Sequence, residues 1–340
     1  MNDVTDSRYA KQILFHAVGA EGQERISHST VTIVGLGALG TVSSSHLCRA
    51  GVGRLRLIDR DFVEISNLQR QSLYDERDAA ERLPKAVAAA RSLGEVNSQV
   101  EIEPLIEDVT PRNVAAIVAG SSLVLDGTDN LETRLLLNDA CLKVGVPWIY
   151  AGALGAVGMT MTIVPPRTPC LRCLIDQVPA PGTMPSCDTE GVLGMTTGAI
   201  ASVQSAEALR LLVGLAPAPG IVFIDVWQRE FETIEFSRRP DCPACGHGDY
   251  SFLAGTDVSW TTVLCGRNAV QIVPPTEQPI PLAELETRLK PIGQVNYNGY
   301  LLSFRTGAHE IVLFPTGRAI VRGTQSEAEA RSLYARYIGT

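Results

Sequence analysis

A chain of 340 residues is longer than one domain usually runs, so the sequence predicts one large α/β body with a smaller addition. Its 45% hydrophobic content suffices for a packed core, and 29 basic against 37 acidic residues give a formal charge of −8, which disfavours nonspecific attraction to nucleic acid or anionic lipid. Neither a cationic start with an apolar signal core nor an apolar run long enough to cross a bilayer is present, so the expectation is a cytoplasmic protein with no membrane or nucleic-acid partner.

Residues 8–28 read as an N-terminal helix or helix pair. Residues 31–34 (VTIV) read as a buried strand, and Gly35-x-Gly37-x-x-Gly40 turns tightly from it into a helix whose free N–H groups can face phosphate oxygens. A second apolar run, 55–58, ends at Asp59, where a carboxylate can reach a ribose hydroxyl. Ser66, Asn67, Leu68, Gln69 and Arg70 follow just past the tip of that strand, where a polyphosphate needs neutralising. Pro84 then opens a helix of strong helix formers that begins with Lys85. Residues 100–106 alternate as a half-buried strand, Thr110-Pro111 caps a helix reaching about Ala119, and 122–126 is the next buried strand. This rhythm predicts a doubly wound, Rossmann-like, mainly parallel sheet whose ligands collect at the carboxyl ends of its strands. Asp126, Gly127, Thr128 and Asp129 stand at such an end, before a helix beginning near Leu131.

Farther along, strand-like runs at 148–151 and 159–164 are interrupted by Gly152, Gly155 and Gly158. Residues 179–194 read as a long irregular crossover loop that holds Cys187, followed by a helix over 198–213 and a strand pair across 221–236. Beyond Gly248 the pattern changes to a short helix at 282–289, a hairpin of 311–314 with 318–321, and a helix over 326–337. The expected division is a nucleotide-binding body over residues 1–250 and a small α+β module over 255–340.

Eight cysteines are present, and four form two close pairs, Cys170-Leu-Arg-Cys173 and Cys242-Pro-Ala-Cys245. Each Cys-x-x-Cys turn puts two thiolates on one side, and two turns complete a closed tetrahedron around structural zinc. Two unrelated cysteine turns or a redox dithiol are the alternative. Cys48, Cys141 and Cys265 lie in apolar or helical contexts and read as core residues.

The glycine loop taken alone favours NAD or FAD. The residues around it reverse that preference. Joining a carboxylate to the α-phosphate of ATP needs cations for the triphosphate, a metal, and access for the incoming group. Arg70 and Lys85 can supply the cations, Asp129 can hold Mg²⁺ through oxygen, and Asp59 can fix the ribose. A hydride enzyme needs a proton-handling histidine, and none of the five histidines lies at a strand end of this unit. Arg70 and Lys85 can equally be solvated surface charges, Asp126 can orient Asp129 or cap the next helix, and Asn130 can cap that helix.

With RYAKQ, VTIVGLGALG, LIDRDFVEISNLQRQ, PKAVAA, LVLDGTDN, CLRC, SCDTEGVLG and CPAC all in place, residues 8–248 resemble the ubiquitin-activating superfamily. Within it they are most similar to the ThiF/MoeB/HesA-type sulfur-carrier adenylyltransferases. The resemblance implies a homodimer using ATP and Mg²⁺, with one structural Zn²⁺ on Cys170, Cys173, Cys242 and Cys245. It implies that the C-terminal Gly-Gly carboxylate of a small ubiquitin-like sulfur carrier attacks ATP to give an acyl-adenylate and pyrophosphate. Sulfur transfer, with a sulfurtransferase or cysteine desulfurase as partner, then makes a thiocarboxylate for thiamine, molybdenum cofactor or related sulfur biosynthesis. By position it implies Gly35, Gly37 and Gly40 as the phosphate turn, Asp59 on the ribose, Asn67, Arg70 and Lys85 toward the phosphates, and Asp129 on magnesium. One departure stands out: Lys11 occupies the place of the second arginine of the opening motif, which in the family reaches the triphosphate of the other protomer. Lysine keeps the charge and loses the bidentate fork, a task Arg8 can share.

Cys187, beside Asp188 and Glu190, can form an acyl thioester or persulfide with the carrier terminus. Adjacent carboxylates raise rather than lower a thiol pKa, which leaves an inert loop cysteine as the other reading. The C-terminal EIVLFPTGRAIVRGTQSEAEARSLYARYIG resembles half of the saddle-shaped TATA-binding fold, yet eight basic and seven acidic residues from Gly255 onward are too balanced for phosphate binding. Dimerisation, carrier docking and inert packing remain open for it. The rival functions are an NAD-dependent oxidoreductase and a non-catalytic adaptor that binds the carrier.

Overall fold

A computed structural model describes residues 8–175, 190–255, 261–264, 268–274 and 279–338. The chain divides into two units, one of residues 1–80 with 84–255 and one of residues 81–83 with 256–340.

The first unit is built on eight strands: β1 (Thr30–Val34), β2 (Arg54–Ile58), β3 (Glu101–Leu105), β4 (Leu123–Asp126), β5 (Trp148–Leu154), β6 (Val157–Ile163), β7 (Ile221–Asp225) and β8 (Glu230–Ile234). They lie in the order β3-β2-β1-β4-β5-β6-β7-β8, parallel from β3 to β5 and antiparallel from there on. Its helices are α1 (Ala10–Ile13), α2 (Gly19–Ser27), α3 (Ala38–Ala50), α4 (Glu76–Glu81), α5 (Lys85–Val96), α6 (Val114–Val118), α7 (Leu131–Val144), α8 (Leu171–Leu174), α9 (Gly194–Leu212) and α10 (Ser251–Ala254).

Side chains alternate across the sheet with period two, so both faces are packed. Trp148, Tyr150, Met161 and Ile163 join Val114, Leu135 and Leu171 under α6, α7 and α8, while Ala151 meets Leu39, Ile200 and Ala201 under α3 and α9. Gln204 of α9 is fully buried: its amide donates to the carbonyls of Asp126 and Ile149 and accepts from the Ser43 hydroxyl, tying α3, α9, β4 and β5 together.

Three elements differ from the sequence reading. The helix expected after Thr110-Pro111 begins only at Val114, because the Asn113 amide folds back to accept the Thr110 N–H and hydroxyl. The glycine-broken runs after residue 148 form one continuous hairpin, β5–β6, since a Cβ at Gly158 would lie 2.9 Å from Cβ of Ile200. That glycine lets α9 approach the strand and does not break it. Finally, α9 starts at Gly194, a turn before Gly198.

The second unit carries an antiparallel sheet of β9 (Thr261–Leu264), β10 (Ala269–Ile272), β11 (Gln294–Tyr297), β12 (Leu302–Thr306), β13 (His309–Leu313) and β14 (Ala319–Arg322), ordered β11-β12-β13-β14-β10-β9. Helices α11 (Leu282–Leu289) and α12 (Glu327–Tyr337) bury Leu285, Leu289 and Ala330 against Phe304, Ile311 and Val321. Within this unit Glu310 is held by Arg82 and the Ser303 hydroxyl, and the Asn298 amide donates to the carbonyls of Glu81 and Arg82. Among the described residues no helix is long and apolar enough to cross a membrane.

Candidate nucleotide site and cysteine cluster

The carboxyl ends of β1, β2 and β4 converge on the glycine loop. Gly35 adopts φ +88°, a left-handed conformation only glycine takes without strain, and a Cβ there would lie 2.7 Å from the backbone of Gly127. At Gly40 a Cβ would meet the Gly35 carbonyl oxygen at 1.9 Å, so α3 starts in contact with its own loop. The loop therefore packs between α3 and the turn after β4, backbone against backbone. Gly37 precedes α3, and a Cβ there would meet only the Gly127 carbonyl oxygen, at 3.8 Å.

Asp59 directly follows β2 and grips that loop: one carboxylate oxygen accepts the Leu36 N–H at 2.7 Å and the other the Asp61 N–H at 2.7 Å. Burial raises its pKa, although Lys85 and both N–H donors pull it down. Lys85, the first residue of α5, is buried. Its N–H donates to the Asp61 carbonyl at 2.9 Å, and its ammonium lies 3.8 Å from the Asp61 carboxylate. Asp61, not anticipated as a site residue, thus holds Lys85 by backbone and side chain together.

Asp126 is fully buried at the end of β4. It accepts from the N–H and hydroxyl of Thr128 at 2.8 and 2.7 Å and from Arg134 at 3.1 Å. Arg134 in turn donates to the carbonyls of Thr128 and Ala151, so the pair fixes the turn that presents Asp129. The choice left open for Asp126 falls to orienting that turn, and Asn130 is the helix cap, accepting the Thr133 N–H at 2.8 Å. The Asp129 carboxylate is exposed, and with Asp108 and Asp61 it helps raise the Arg60 pKa against the opposing effect of burial.

Asn67 is buried, and its amide oxygen accepts the Glu64 N–H at 3.0 Å, capping the turn that leads to Arg70. Arg70 donates to the Ser66 carbonyl at 2.9 Å, and Gly194 at the start of α9 lies against Gln69 and Arg70. Lys11 sits apart, exposed on α1. The rest of its motif is anchored at the opposite, helix-ending side of the sheet: Arg8 donates to the Val96 carbonyl, the Tyr9 hydroxyl accepts from the Asn97 amide, and Gln12 donates to the Ala50 carbonyl. Cys187 lies outside the described residues, as does Cys265. Cys48 and Cys141 are fully buried.

The two cysteine knuckles meet. Cys170 and Cys242 have sulfurs 3.6 Å apart, Cys173 and Cys245 3.4 Å, and all four lie within 4.8 Å of one another. Tetrahedral zinc with bonds of about 2.3 Å sets its sulfurs about 3.8 Å apart, so the donor set fits. Burial, and then the neighbouring sulfurs, push the Cys170 thiol up in the metal-free arrangement. The Asn138 amide accepts the Leu171 N–H at 3.0 Å and orients the first knuckle.

A glycine loop running into a helix, a carboxylate at the tip of the next strand and a buried lysine beside it define an α/β protein of the nucleotide-binding type with a four-cysteine cluster. The chain belongs to the ThiF family, whose pattern it matches over residues 9–244. It is 41% identical over 335 residues to the sulfur carrier protein ThiS adenylyltransferase of Bacillus subtilis (strain 168), covering 98% of this chain and 99% of that one. The Escherichia coli (strain K12) protein of the same description is 36% identical over 248 residues, 72% of this chain and 97% of that one. Among solved structures, E. coli MccB shares the fold with a TM-score of 0.64 at 21% identity, covering 72% of this chain and 74% of that chain.

Proposed function

We propose that this chain adenylylates the C-terminal Gly-Gly carboxylate of a ThiS-like, ubiquitin-fold sulfur carrier, in preparation for thiocarboxylate formation. The observation that carries the reading is the match to the B. subtilis ThiS adenylyltransferase along nearly the whole chain, the second unit included. Thiamine synthesis is the route that match favours.

In the reaction a carboxylate oxygen of the carrier attacks the α-phosphorus of ATP, the bond to the bridging oxygen breaks, and pyrophosphate leaves. The turn at Gly35, Gly37 and Gly40 and the start of α3 offer backbone N–H groups to the phosphates. Lys85 and Arg70 neutralise the charge that builds on the leaving group, Asn67 shapes the turn that aims Arg70, and Asp59 faces the ribose. Asp129 is the oxygen ligand for Mg²⁺, which when bound screens the phosphate charge. Cys170, Cys173, Cys242 and Cys245 hold Zn²⁺ in a structural role. Lys11 lies on the far side of its own sheet from the glycine loop, which supports a homodimer in which it reaches the site of the other protomer. Cys187 is kept as the residue for a thioester or persulfide step with a sulfur donor.

Carrier-dependent exchange of pyrophosphate into ATP tests this reading. NAD binding without exchange would show an oxidoreductase, and carrier binding without AMP formation would show an adaptor.

A further inference from the structure

Tyr74 belongs to none of the groups assigned above, yet it touches two of them. Its ring is buried, and its hydroxyl donates to the Leu36 carbonyl at 2.8 Å, with a longer approach of 3.4 Å to the Lys85 carbonyl. Leu36 stands between Gly35 and Gly37, and its N–H is already given to Asp59. Both backbone polar groups of this one loop residue are therefore held by side chains, one carboxylate and one phenol. Unheld, the Leu36 carbonyl would have no buried donor and would be free to turn toward the cradle, where its oxygen would repel phosphate. Burial, reinforced by the charges of Asp59, Asp78 and Asp61, keeps the phenol well above its ordinary range, so its proton stays available.

We propose that Tyr74 is a positioning residue for the nucleotide. It turns the Leu36 carbonyl inward so that Gly37 and the start of α3 present N–H groups outward, and it registers the loop against the first residue of α5, Lys85. This rests on the adenylylation reading, with ATP as the ligand. It separates the roles of the two loop supports: Asp59 is shared between loop and ribose, whereas Tyr74 acts through the backbone of the loop and of Lys85.

The test is Tyr74→Phe in the full chain, with ATP·Mg²⁺ affinity measured by calorimetry and steady-state exchange measured against ATP and against carrier. The variant should bind ATP about ten-fold more weakly and raise the KM for ATP by a similar factor, leaving the KM for carrier unchanged. A purely structural role lowers the melting temperature and leaves ATP affinity at the wild-type value, which overturns the proposal while the adenylylation reading stands. Wild-type protein that binds no ATP overturns both. If Tyr74→Phe does not fold, 3-fluorotyrosine and 3,5-difluorotyrosine at position 74 replace it, since they keep the ring and hydroxyl while acidifying the phenol. ATP affinity that follows that acidity supports the clamp, and affinity indifferent to it overturns the clamp.

Discussion

Gly127→Ala isolates the contact on which the candidate site depends. The added Cβ would lie 2.3 Å from the Gly35 carbonyl oxygen and 3.0 Å from N and Cα of Gly40, so it meets backbone on two sides. Retreat is blocked, because the Gly127 N–H donates to the Val34 carbonyl at 2.7 Å within the β1–β4 pairing. Overpacking a rigid site costs about 1–3 kcal/mol, and backbone obstacles on both sides place this one near about 3 kcal/mol. At about 2–4 °C per kcal/mol for a body of this size, the melting temperature should fall by about 6–12 °C. The same wedge separates the two loops of the cradle, so ATP·Mg²⁺ affinity should fall more than about ten-fold below the melt. Gly120→Ala is the control: it also changes a glycine, at φ +74°, but with nothing within 4 Å of the new Cβ, and ATP binding should be untouched. A Gly127→Ala protein that melts and binds ATP like wild type would refute the close-packing argument.

Replacing Cys242 and Cys245 by serine should release zinc, followed by elemental analysis, and lower the melting temperature sharply, since structural zinc contributes on the order of 10 kcal/mol or more to folding; a metal-free double variant with an unchanged melt contradicts the assignment. Burial lifts the Asp139 carboxyl to about 6, so its stabilising contribution is complete at acid pH and is lost as pH rises through about 6. Asp139→Asn should therefore gain on wild type by about 2 kcal/mol between pH 4.5 and 7.5, and a difference that is flat with pH in denaturant titrations rules this out. An equimolar mixture of Lys11→Ala and Lys85→Ala chains, each inactive alone, should recover about a quarter of wild-type exchange if Lys11 acts in trans, because half the dimers carry one intact site. No recovery after subunit exchange removes Lys11 from the partner's site.

The first unit was legible where one local signal dictates one element. The run VTIV before a glycine loop, Pro84 before Lys85 and two Cys-x-x-Cys turns each act within a few residues, and β1, α5 and the thiol cluster stand where the pattern placed them. What escaped were residues whose work is defined by distant neighbours. Gly158 looks like a strand breaker until Ile200 is seen beside it, and Gly127 acquires its role only from Gly35 and Gly40. Tyr74 and Arg134 lie outside the quoted motifs, and Asp61 sits inside one that does not single it out, because what matters is the group each meets across the fold: the Leu36 carbonyl, the Asp126 carboxylate and the Lys85 ammonium. In the second unit β10, β11 and β12 span only four or five residues each, and pairing is what defines them: β10 lies against β14, β12 against β13 and β11 against β12.

The cysteine cluster also bears on how the chain comes apart. The knuckles at Cys173 and Cys242 bound a long stretch that contains α9, β7 and β8, and a metal bridging them turns that stretch into a closed loop. Closing a loop of such length restricts the unfolded chain more than closing a short one, and so stabilises the folded arrangement of everything inside it. Because the first turn of α9 rests against Gln69 and Arg70, the loop includes a wall beside the turn proposed to face the triphosphate. Chains made under metal scarcity would then lose that wall first, by local unfolding, while the glycine cradle on the other half of the sheet still held its shape.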